Sequence, residues 1–192
     1  MARIGFKQAK YNKIVGNTYA TLTDGKVPVF EKVIDEKFAP EYNTAELYAN
    51  DGLAECDYSF KKGTLSLTVA DDDDKLIAEL FGNADNDGEV TSNINDSAPE
   101  FAYGHIIPKM VNGVRKFKVE FFPRVKFTKV TSDNKTRGES VEFSTTAIEA
   151  TVFPLETALN GLAVGDWEKH HTFATLTEAE TYLDGLLTPA KA

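Results

Sequence analysis

The residues of this sequence that could bind a metal are mainly acidic, and the most suggestive form the segment Asn83-x-Asp85-x-Asp87-Gly88. Oxygen ligands at alternate positions before a glycine are typical of the first half of a calcium-binding EF-hand loop. The twelfth position of such a loop should be a bidentate glutamate, but here it is Ile94. No amphipathic helix follows the segment. The pattern therefore favours an acidic surface turn over a calcium site.

Four consecutive aspartates at positions 71–74 form a second possible metal cluster. Successive residues at the start of a helix point in different directions, so these side chains should not converge on one ion. They suit a helix N-terminus instead, as a cap and as partners of the helix dipole. The sequence predicts a short helix from Lys75 to Phe81, with an apolar stripe at helical spacing and Gly82 as its C-terminal cap.

Histidine and cysteine offer little further chemistry. His170 and His171 are adjacent beside Trp167, and neighbouring residues of a strand face opposite sides, so the two should not share an ion. Cys56 is the only cysteine, which excludes an internal disulfide, and no catalytic signature surrounds it. The sequence also lacks a phosphate loop, a dinucleotide fingerprint and a serine elbow. It predicts a protein that is not an enzyme and that binds no metal or cofactor.

The elements that would position any site are organised around a long predicted hairpin at residues 101–128. Asn112-Gly113 is a typical two-residue hairpin turn, because both central residues need positive φ. Apolar and charged residues alternate after the turn, so we expect one face in the core and the other against water or a charged neighbour. Counting from the turn pairs Val111 with Val114, Lys109 with Lys116, Ile107 with Lys118, and His105 with Glu120. A strand of this length should project from a small domain or continue into another chain.

The outer face of this predicted hairpin is basic. It carries Lys109, Lys116, Lys118, Arg124 and Lys126. Lys109 opposite Lys116 is a like-charge pair, which costs energy unless an acidic group lies between the two side chains. One interpretation is that this acidic group belongs to a neighbouring subunit. The alternative is that both lysines turn into water.

The remaining segments predict a mainly β fold, either a β-sandwich or a partly closed barrel, with one or two short α-helices. Residues 39–63 show no clean period and are expected to form a long loop or arm, with a poorly patterned strand pair as the alternative. A C-terminal helix is predicted at 177–187, with Thr177 and Glu180 as a capping box. The other predicted strands are Thr18–Thr23, returning over Val27–Phe38, then Thr64–Val69, Gly138–Val152 and Asp166–Phe173. We expect one domain spanning residues 1–192.

The charge and the hydropathy of the sequence argue against a nucleic-acid-binding protein and against a membrane protein. The net charge is −9 and the isoelectric point is about 4.9, so the general surface should not grip nucleic acid. No run approaches the ~18 apolar residues of a membrane span. The first residues also lack the apolar region of a signal peptide. We therefore expect folding in the cytoplasm, without a membrane partner.

Four phrases of the sequence, taken together, resemble a known family. They are Ala45-Glu46-Leu47-Tyr48-Ala49-Asn50-Asp51-Gly52-Leu53-Ala54-Glu55, Gly63-Thr64-Leu65-Ser66-Leu67, Lys109-Met110-Val111-Asn112-Gly113-Val114-Arg115-Lys116-Phe117 with Phe121-Phe122-Pro123, and Gly138-Glu139-Ser140-Val141-Glu142-Phe143 continuing to Ile148-Glu149-Ala150. Over about residues 3–153, in this order, they are similar to the major tail proteins, or tail-tube subunits, of siphophages that infect Gram-positive bacteria.

The resemblance implies a tail-tube fold, with two packed antiparallel sheets and a flanking helix. Six copies would form a ring around an inner β-barrel, and rings would stack into a tube that conducts DNA without binding it specifically. The other partners would be the tape measure, distal tail and tail terminator proteins, and the location would be the virion tail after assembly in the host cytoplasm. The expected subunit-interface residues are Leu47, Tyr48, Lys109, Val111, Asn112, Gly113, Val114, Lys116 and Lys118. Residues 39–63 are expected to be mobile in the monomer and ordered in the tube.

A different class of function also fits the sequence. A monomeric β-sandwich that binds a carbohydrate or protein ligand would need a concave aromatic patch. Its candidate residues are Tyr42, Tyr48, Tyr58 and Tyr103.

Overall fold

A computed structural model of the chain describes residues 2–3, 5–30, 32–49, 52–70, 73–132 and 145–189. Within these ranges, two helices accompany the strands: α1 (Asp74–Phe81) and α2 (Leu176–Leu187). The strands are β1 (Ala2–Arg3), β2 (Lys7–Val15), β3 (Thr18–Tyr19), β4 (Val33–Ala49), β5 (Gly52–Val69), β6 (Ala84–Asn86), β7 (Glu89–Thr91), β8 (Glu100–Val111), β9 (Val114–Ser132), β10 (Thr146–Val152) and β11 (Lys169–Phe173). The mainly β prediction is confirmed.

Most of the described strands form one antiparallel sheet. Its order is β3-β2-β8-β9-β10-β5-β4, while β1 also pairs with β8 and β11 also pairs with β9. The sheet is open between β3 and β4, so it is not a closed barrel. Strands β6 and β7 form a separate two-stranded hairpin. The β8–β9 hairpin that we expected to project therefore lies in the middle of the sheet.

Strands β8 and β9 have the register that the Asn112-Gly113 turn predicted. The turn residues have φ values of 51° and 78°, as a type I′ turn requires. The prediction that only one face of β9 would be buried is wrong for its middle, where Val119, Glu120, Phe121 and Phe122 are all buried. A second layer covers the other face of the sheet, so the alternation of burial is lost there.

The two faces of the central strands contact separate hydrophobic clusters. One contains Tyr103 and Phe122 with apolar side chains of β5 and β10. The other contains Ile106, Val119 and Phe121 with the buried face of α2. The close approach of α2 explains a glycine inside β8, because a Cβ atom on Gly104 would lie 2.5 Å from Leu183 Cδ1.

Helix α2 confirms the predicted C-terminal helix but not its cap. The capping box joins Thr175 and Glu178, whereas Thr177 lies inside the first turn. Both positions fit the Thr-x-x-Glu pattern, so the sequence pattern alone did not separate them. At the other end of α2, buried Asn12 donates a hydrogen bond of 2.8 Å to the carbonyl of Leu187.

Helix α1 follows its prediction closely. Asp73 is the N-cap and accepts a hydrogen bond of 3.1 Å from the Lys75 amide. Gly82 ends the helix in the left-handed conformation. Asp71 and Asp72 lie outside the described residues.

The predicted hairpin between Thr18–Thr23 and Val27–Phe38 is wrong. Thr18–Tyr19 pairs with the end of β2, and residues from Val33 onward pair with β5. Phe30 between them is buried and packs its ring on Tyr11, with 4.6 Å between centroids. Burial of this aromatic side chain over β2 separates the segment from the strand that follows.

Strands β4 and β5 form the hairpin that projects. Residues Gly63–Val69 of β5 pair with β10 on their other side, whereas residues 41–49 and 52–62 pair, among the described residues, only with each other. We call residues 41–49 and 52–62 the arm. All side chains described at 41–48 and 55–59 are exposed. The described residues of segment 39–63 thus form the strand pair of the alternative interpretation and not an irregular loop.

Candidate functional site

The register of the arm gives it two different faces. Thr44 pairs with Tyr58 and Glu46 with Cys56, which places Tyr42, Tyr48 and Tyr58 on one side. We call this side the aromatic face. Its tyrosines are 49%, 66% and 65% exposed, respectively. Tyr103, the fourth aromatic residue proposed for a binding patch, is fully buried, so the prediction that it contributes to a ligand patch is wrong.

Stacked aromatic rings hold the base of the arm on the sheet. Trp167 lies face to face with Phe60, with 3.9 Å between centroids and 8° between planes. Phe60 in turn meets the edge of Tyr42 at 6.1 Å. Phe38 packs 4.6 Å from the buried Phe122. These contacts fix the direction in which the arm leaves the sheet, because aromatic pairs add about 0.5–1.5 kcal/mol each beyond buried area.

The opposite side of the arm is acidic. Leu47 pairs with Glu55 and Ala45 with Asp57, which places both carboxylates beside Leu47. We call Leu47, Glu55 and Asp57 the acidic face. From residue 42 to residue 60 the sequence contains no lysine, arginine or histidine. These carboxylates therefore have no cationic neighbour within that stretch of the arm.

Cationic residues lie next to one another on the neighbouring strands β1, β8 and β9. Arg3 pairs with Lys109 between β1 and β8, and Lys109 pairs with Lys116 between β8 and β9. We call Arg3, Lys109, Lys116 and Lys118 the basic row. Arg3 and Lys118 both contact the carboxylate of Glu120. Among the described residues, Lys109 and Lys116 have no acidic ion-pair partner.

The surroundings of Lys109 disfavour the charged form of its side chain. Burial lowers the pKa of this lysine, and the positive charges of Lys118 and Arg3 lower it further. Glu120 acts in the opposite direction. The predicted like-charge pair of Lys109 and Lys116 therefore exists, within a larger group of cations.

The basic row borders a buried ionic cluster that sequence reasoning found only in part. His105 is 2% exposed, and its Nε2 lies 3.5 Å from Glu120 Oε2, as the register predicted. On the other side of the ring, Nδ1 lies 3.1 Å from Glu36 Oε2. This Nδ1 makes no hydrogen bond of acceptable geometry within the described part of the chain. Tyr103 donates a hydrogen bond of 2.7 Å to Glu36.

The two carboxylates beside His105 have opposite pKa changes. Burial raises the pKa of Glu36, and it outweighs the opposing effects of His105 and the Tyr103 hydroxyl. Burial also opposes ionisation of Glu120, but hydrogen bonds from His105 and Lys118 outweigh it and lower the pKa of Glu120 to about 2. The cluster borders a cavity of about 500 Å³, whose aromatic wall includes Trp167. It ties the base of β4 to β1, β8 and β9.

The prediction of one continuous basic face on the β8–β9 hairpin is wrong. Arg124 makes two hydrogen bonds to Glu100, of 2.9 and 2.7 Å, and an ion pair of 2.7 Å with Glu156. Lys118 is paired with Glu120. The register of β8 and β9 also shifts, since Tyr103 pairs with Phe122 but Phe101 pairs with Val125. Residues of β9 beyond this shift therefore do not continue the alternation of the residues before it. Arg124 is therefore satisfied within the chain.

The predicted interface residues fall into two groups. Leu47 and Tyr48 lie on opposite faces of the arm, and they are 57% and 66% exposed. The second group occupies the tip and adjoining part of the β8–β9 hairpin: Lys109, Val111, Asn112, Gly113, Val114, Lys116 and Lys118. No hydrogen bond or ion pair between described residues joins the two groups. The contribution of Glu36 was missed because its partners, Tyr103 and His105, lie almost seventy residues further along the chain.

The sites considered for metals have other roles here. Asp85–Asp87 belongs to the β6–β7 hairpin, where Asp85 accepts a hydrogen bond of 2.9 Å from the Gly88 amide. His170 lies 3.4 Å from Glu168, while the His171 ring packs on Phe173. In the described part of the chain, no three His, Cys, Asp or Glu side chains are grouped to hold a metal ion.

Comparisons with known proteins add no family. No protein-family model matches the sequence, and no curated protein matches it either. Neither of the two described helices is long and apolar enough to cross a membrane. The resemblance to tail-tube subunits therefore stays a prediction.

Proposed function

We propose that this protein is a structural subunit that assembles with copies of itself into stacked rings, as the tail tube of a siphophage. The observation that carries this proposal is the arm. It extends nine residues along β4 beyond the sheet, or about 30 Å at ~3.3 Å per residue.

An arm of this kind needs a neighbour. Two-stranded hairpins without further partners are at best marginally stable in water. The arm also exposes Leu47, Tyr48 and Tyr58 by more than half of their surface. Contact with another chain would cover these side chains and add the stability that the isolated hairpin lacks.

The open edge of the sheet supports the same conclusion. The outer side of β4 has no strand partner among the described residues, and an open edge of this length is a template for pairing with another chain. At the other end of the sheet, a segment at residues 28–30 lies along β2: the Tyr11 amide of β2 donates to the Pro28 carbonyl at 3.1 Å, and the Phe30 amide donates to the Ala9 carbonyl of β2 at 2.8 Å. One edge is thus partly covered and the other open, which suits a head-to-tail contact that closes into a ring.

In the proposed tube, rings of six copies stack, and DNA passes through the lumen without specific binding. The acidic balance of the chain, −9 overall, suits a channel wall that repels phosphates. The tape measure, distal tail and tail terminator proteins would be the other partners in the virion.

The test is assembly of the full chain. Sedimentation velocity and negative-stain electron microscopy would follow the protein up to its highest soluble concentration. The variant Tyr48→Ser/Tyr58→Ser removes the exposed aromatic rings of the arm. Ile94→Ser/Val164→Ser is the matched control, since these side chains are 99% and 65% exposed elsewhere on the molecule.

We expect rings or tubes from the wild-type chain and from the control, and a clear loss of assembly in the tyrosine variant. A chain that remains monomeric at every concentration would count against the proposal. Equal assembly by both variants would show that the aromatic face is not an interface.

The second candidate function is a monomeric binding module. The observation in its favour is the same set of exposed tyrosines, since flat aromatic rings can stack on sugars. Tyr48 and Tyr58 lie on a projecting ribbon, however, and not in a concave pocket, whereas Tyr42 borders the cavity at the base of the arm. A monomer that binds glycans, and loses this binding in Tyr48→Ser/Tyr58→Ser, would favour this candidate.

A further inference from the structure

We propose that the acidic face of the arm of one copy docks on the basic row of a second copy. This inference rests on the proposed self-assembly and names the charged surfaces that join the copies. It assigns Glu55 and Asp57 to one side of the contact, and Lys109 and Lys116 to the other.

Two lysines of the basic row, Lys109 and Lys116, have no acidic ion-pair partner among the described residues. Three of its cations, Arg3, Lys109 and Lys116, occupy one line across three strands. The single carboxylate of Glu120 is already shared by Arg3, Lys118 and His105. Like charges on neighbouring strands destabilise a sheet, so a further anion beside Lys109 and Lys116 would relieve this repulsion.

The arm supplies anions that lack cations. Glu55 and Asp57 point to the same side and neither makes an ion pair with a described residue. Both are exposed, with Leu47 beside them. An exposed carboxylate pair next to an apolar side chain fits the rim and centre of a protein contact, where charge complementarity sets orientation and partner choice.

The two surfaces are not joined within one chain. The base of β4 meets β1, β8 and β9 at the His105 cluster, where Glu36 contacts His105. Glu55 and Asp57 lie further out on the arm, and no ion pair between described residues joins them to the basic row. The arm extends away from the sheet over nine residues of β4. Charge balance is therefore reached between chains, with each copy giving an arm to one neighbour and receiving an arm from another.

Nucleic acid is the other polyanion that could occupy the basic row. Glu120 lies within this surface, and the chain as a whole carries a charge of −9. Both features are negative charges, and they repel a nucleic-acid backbone, with its many phosphates, more strongly than they repel two carboxylates. The experiment below includes DNA so that this occupant is tested directly.

The test exchanges the charges of the two surfaces in the full chain. Lys109→Glu/Lys116→Glu reverses the basic row, and Glu55→Lys/Asp57→Lys reverses the acidic face. A third variant carries all four changes, which restores opposite charges because every copy contributes both surfaces. Lys26→Glu/Glu89→Lys is the control, since both residues are exposed in other parts of the structure. The measurement is the protein concentration at which half of the chains are assembled. A second measurement is the binding of duplex DNA by the wild type and by Lys109→Glu/Lys116→Glu.

We expect each double reversal to raise this concentration by about tenfold or more, and the fourfold variant to return to within about threefold of wild type. Assembly of the wild type should also weaken as ionic strength rises. Tryptophan fluorescence on urea denaturation would verify that each variant folds. Neutral variants, Lys109→Gln/Lys116→Gln and Glu55→Gln/Asp57→Asn, should give smaller effects in the same direction.

Other outcomes would overturn the inference. If both reversals leave assembly unchanged, the docking is wrong while the proposed function stands. If both weaken assembly but the fourfold variant does not recover, the two surfaces do not meet each other. Loss of DNA binding without loss of assembly in Lys109→Glu/Lys116→Glu would assign the row to nucleic acid. A wild-type chain that never assembles would overturn this inference and the proposed function together.

Discussion

The two carboxylates beside His105 should respond oppositely to the same isosteric substitution. Glu120→Gln removes a charge that the fold stabilises, since the pKa of Glu120 is lowered from 4.5 to about 2. Glu36→Gln removes a charge that the fold disfavours, since burial raises the pKa of Glu36. At neutral pH we therefore expect Glu120→Gln to lower the free energy of unfolding, and Glu36→Gln to leave it unchanged or raise it.

The size of the Glu120 effect follows from its pKa. A decrease from 4.5 to about 2 corresponds to at most about 3–4 kcal/mol, at ~1.36 kcal/mol per pKa unit. The carboxylate retains some contact with solvent, with 10% of the side chain exposed, so screening reduces this figure. We expect a loss of about 1–3 kcal/mol for Glu120→Gln.

The pH dependence gives a second check on the sign. A lowered pKa in the folded state stabilises the protein above the unfolded-state pKa, and this contribution disappears as the pH falls through the folded-state value. The difference between wild type and Glu120→Gln should thus be constant near neutral pH and shrink below pH 4.5 towards about 2. For Glu36 the sign is reversed, so any gain from Glu36→Gln should grow as the pH rises through the raised pKa.

Urea denaturation is the assay, with the fluorescence of Trp167, the only tryptophan, as the probe. Equal slopes of free energy against urea would show that the variants unfold in the same way. The reasoning would be refuted if both variants lost similar stability, or if Glu36→Gln lost more than Glu120→Gln.

Three further predictions concern the core and the arm. Leu183→Ala should lower the free energy of unfolding by about 2–5 kcal/mol in urea denaturation, because its side chain is fully buried between α2 and the sheet. Trp167→Ala should speed amide hydrogen exchange in the arm more than in β8, because it removes the stack on Phe60. Hydrogen exchange in residues 39–63 should be fast in the monomer and slow in the assembled protein.

Each of these predictions has a contrary result. A Leu183→Ala loss below about 1 kcal/mol would mean that the space between α2 and the sheet collapses after truncation. Equal acceleration of exchange in the arm and in β8 would show that Trp167 supports the whole sheet and not the arm specifically. Equal protection of residues 39–63 in monomer and assembly would contradict the role of the arm as an interface.

Local signals in the sequence were enough for elements closed by tight turns or caps. The Asn112-Gly113 turn fixed the register of β8 and β9, including the His105–Glu120 pair, because a two-residue turn leaves no freedom in pairing. The ends of α1 followed in the same way from Asp73 and Gly82. In these cases the deciding interactions lie within a few residues of each other.

Features that depend on distant residues were not predictable. The arm has no alternation of polar and apolar residues because both of its faces are exposed. The burial of Glu120 and Phe122 depends on a second layer over the sheet. Glu36 meets His105 and Tyr103 only through the order of strands, and strand order has no signature within a short stretch of sequence.

The contact between β2 and α2 joins residues that are far apart in the sequence, and this separation affects the order of folding. Lys10 pairs with Asp184 at 2.6 Å, and Asn12 hydrogen-bonds to Leu187, so β2 and α2 meet across almost the whole chain. Contacts of such sequence separation form late, because a long loop must close first. A nascent chain would build the β8–β9 hairpin early and expose Ile106 and Val119 until α2 arrives. Until α2 packs on the sheet, these apolar side chains remain exposed and can associate with other exposed apolar surfaces.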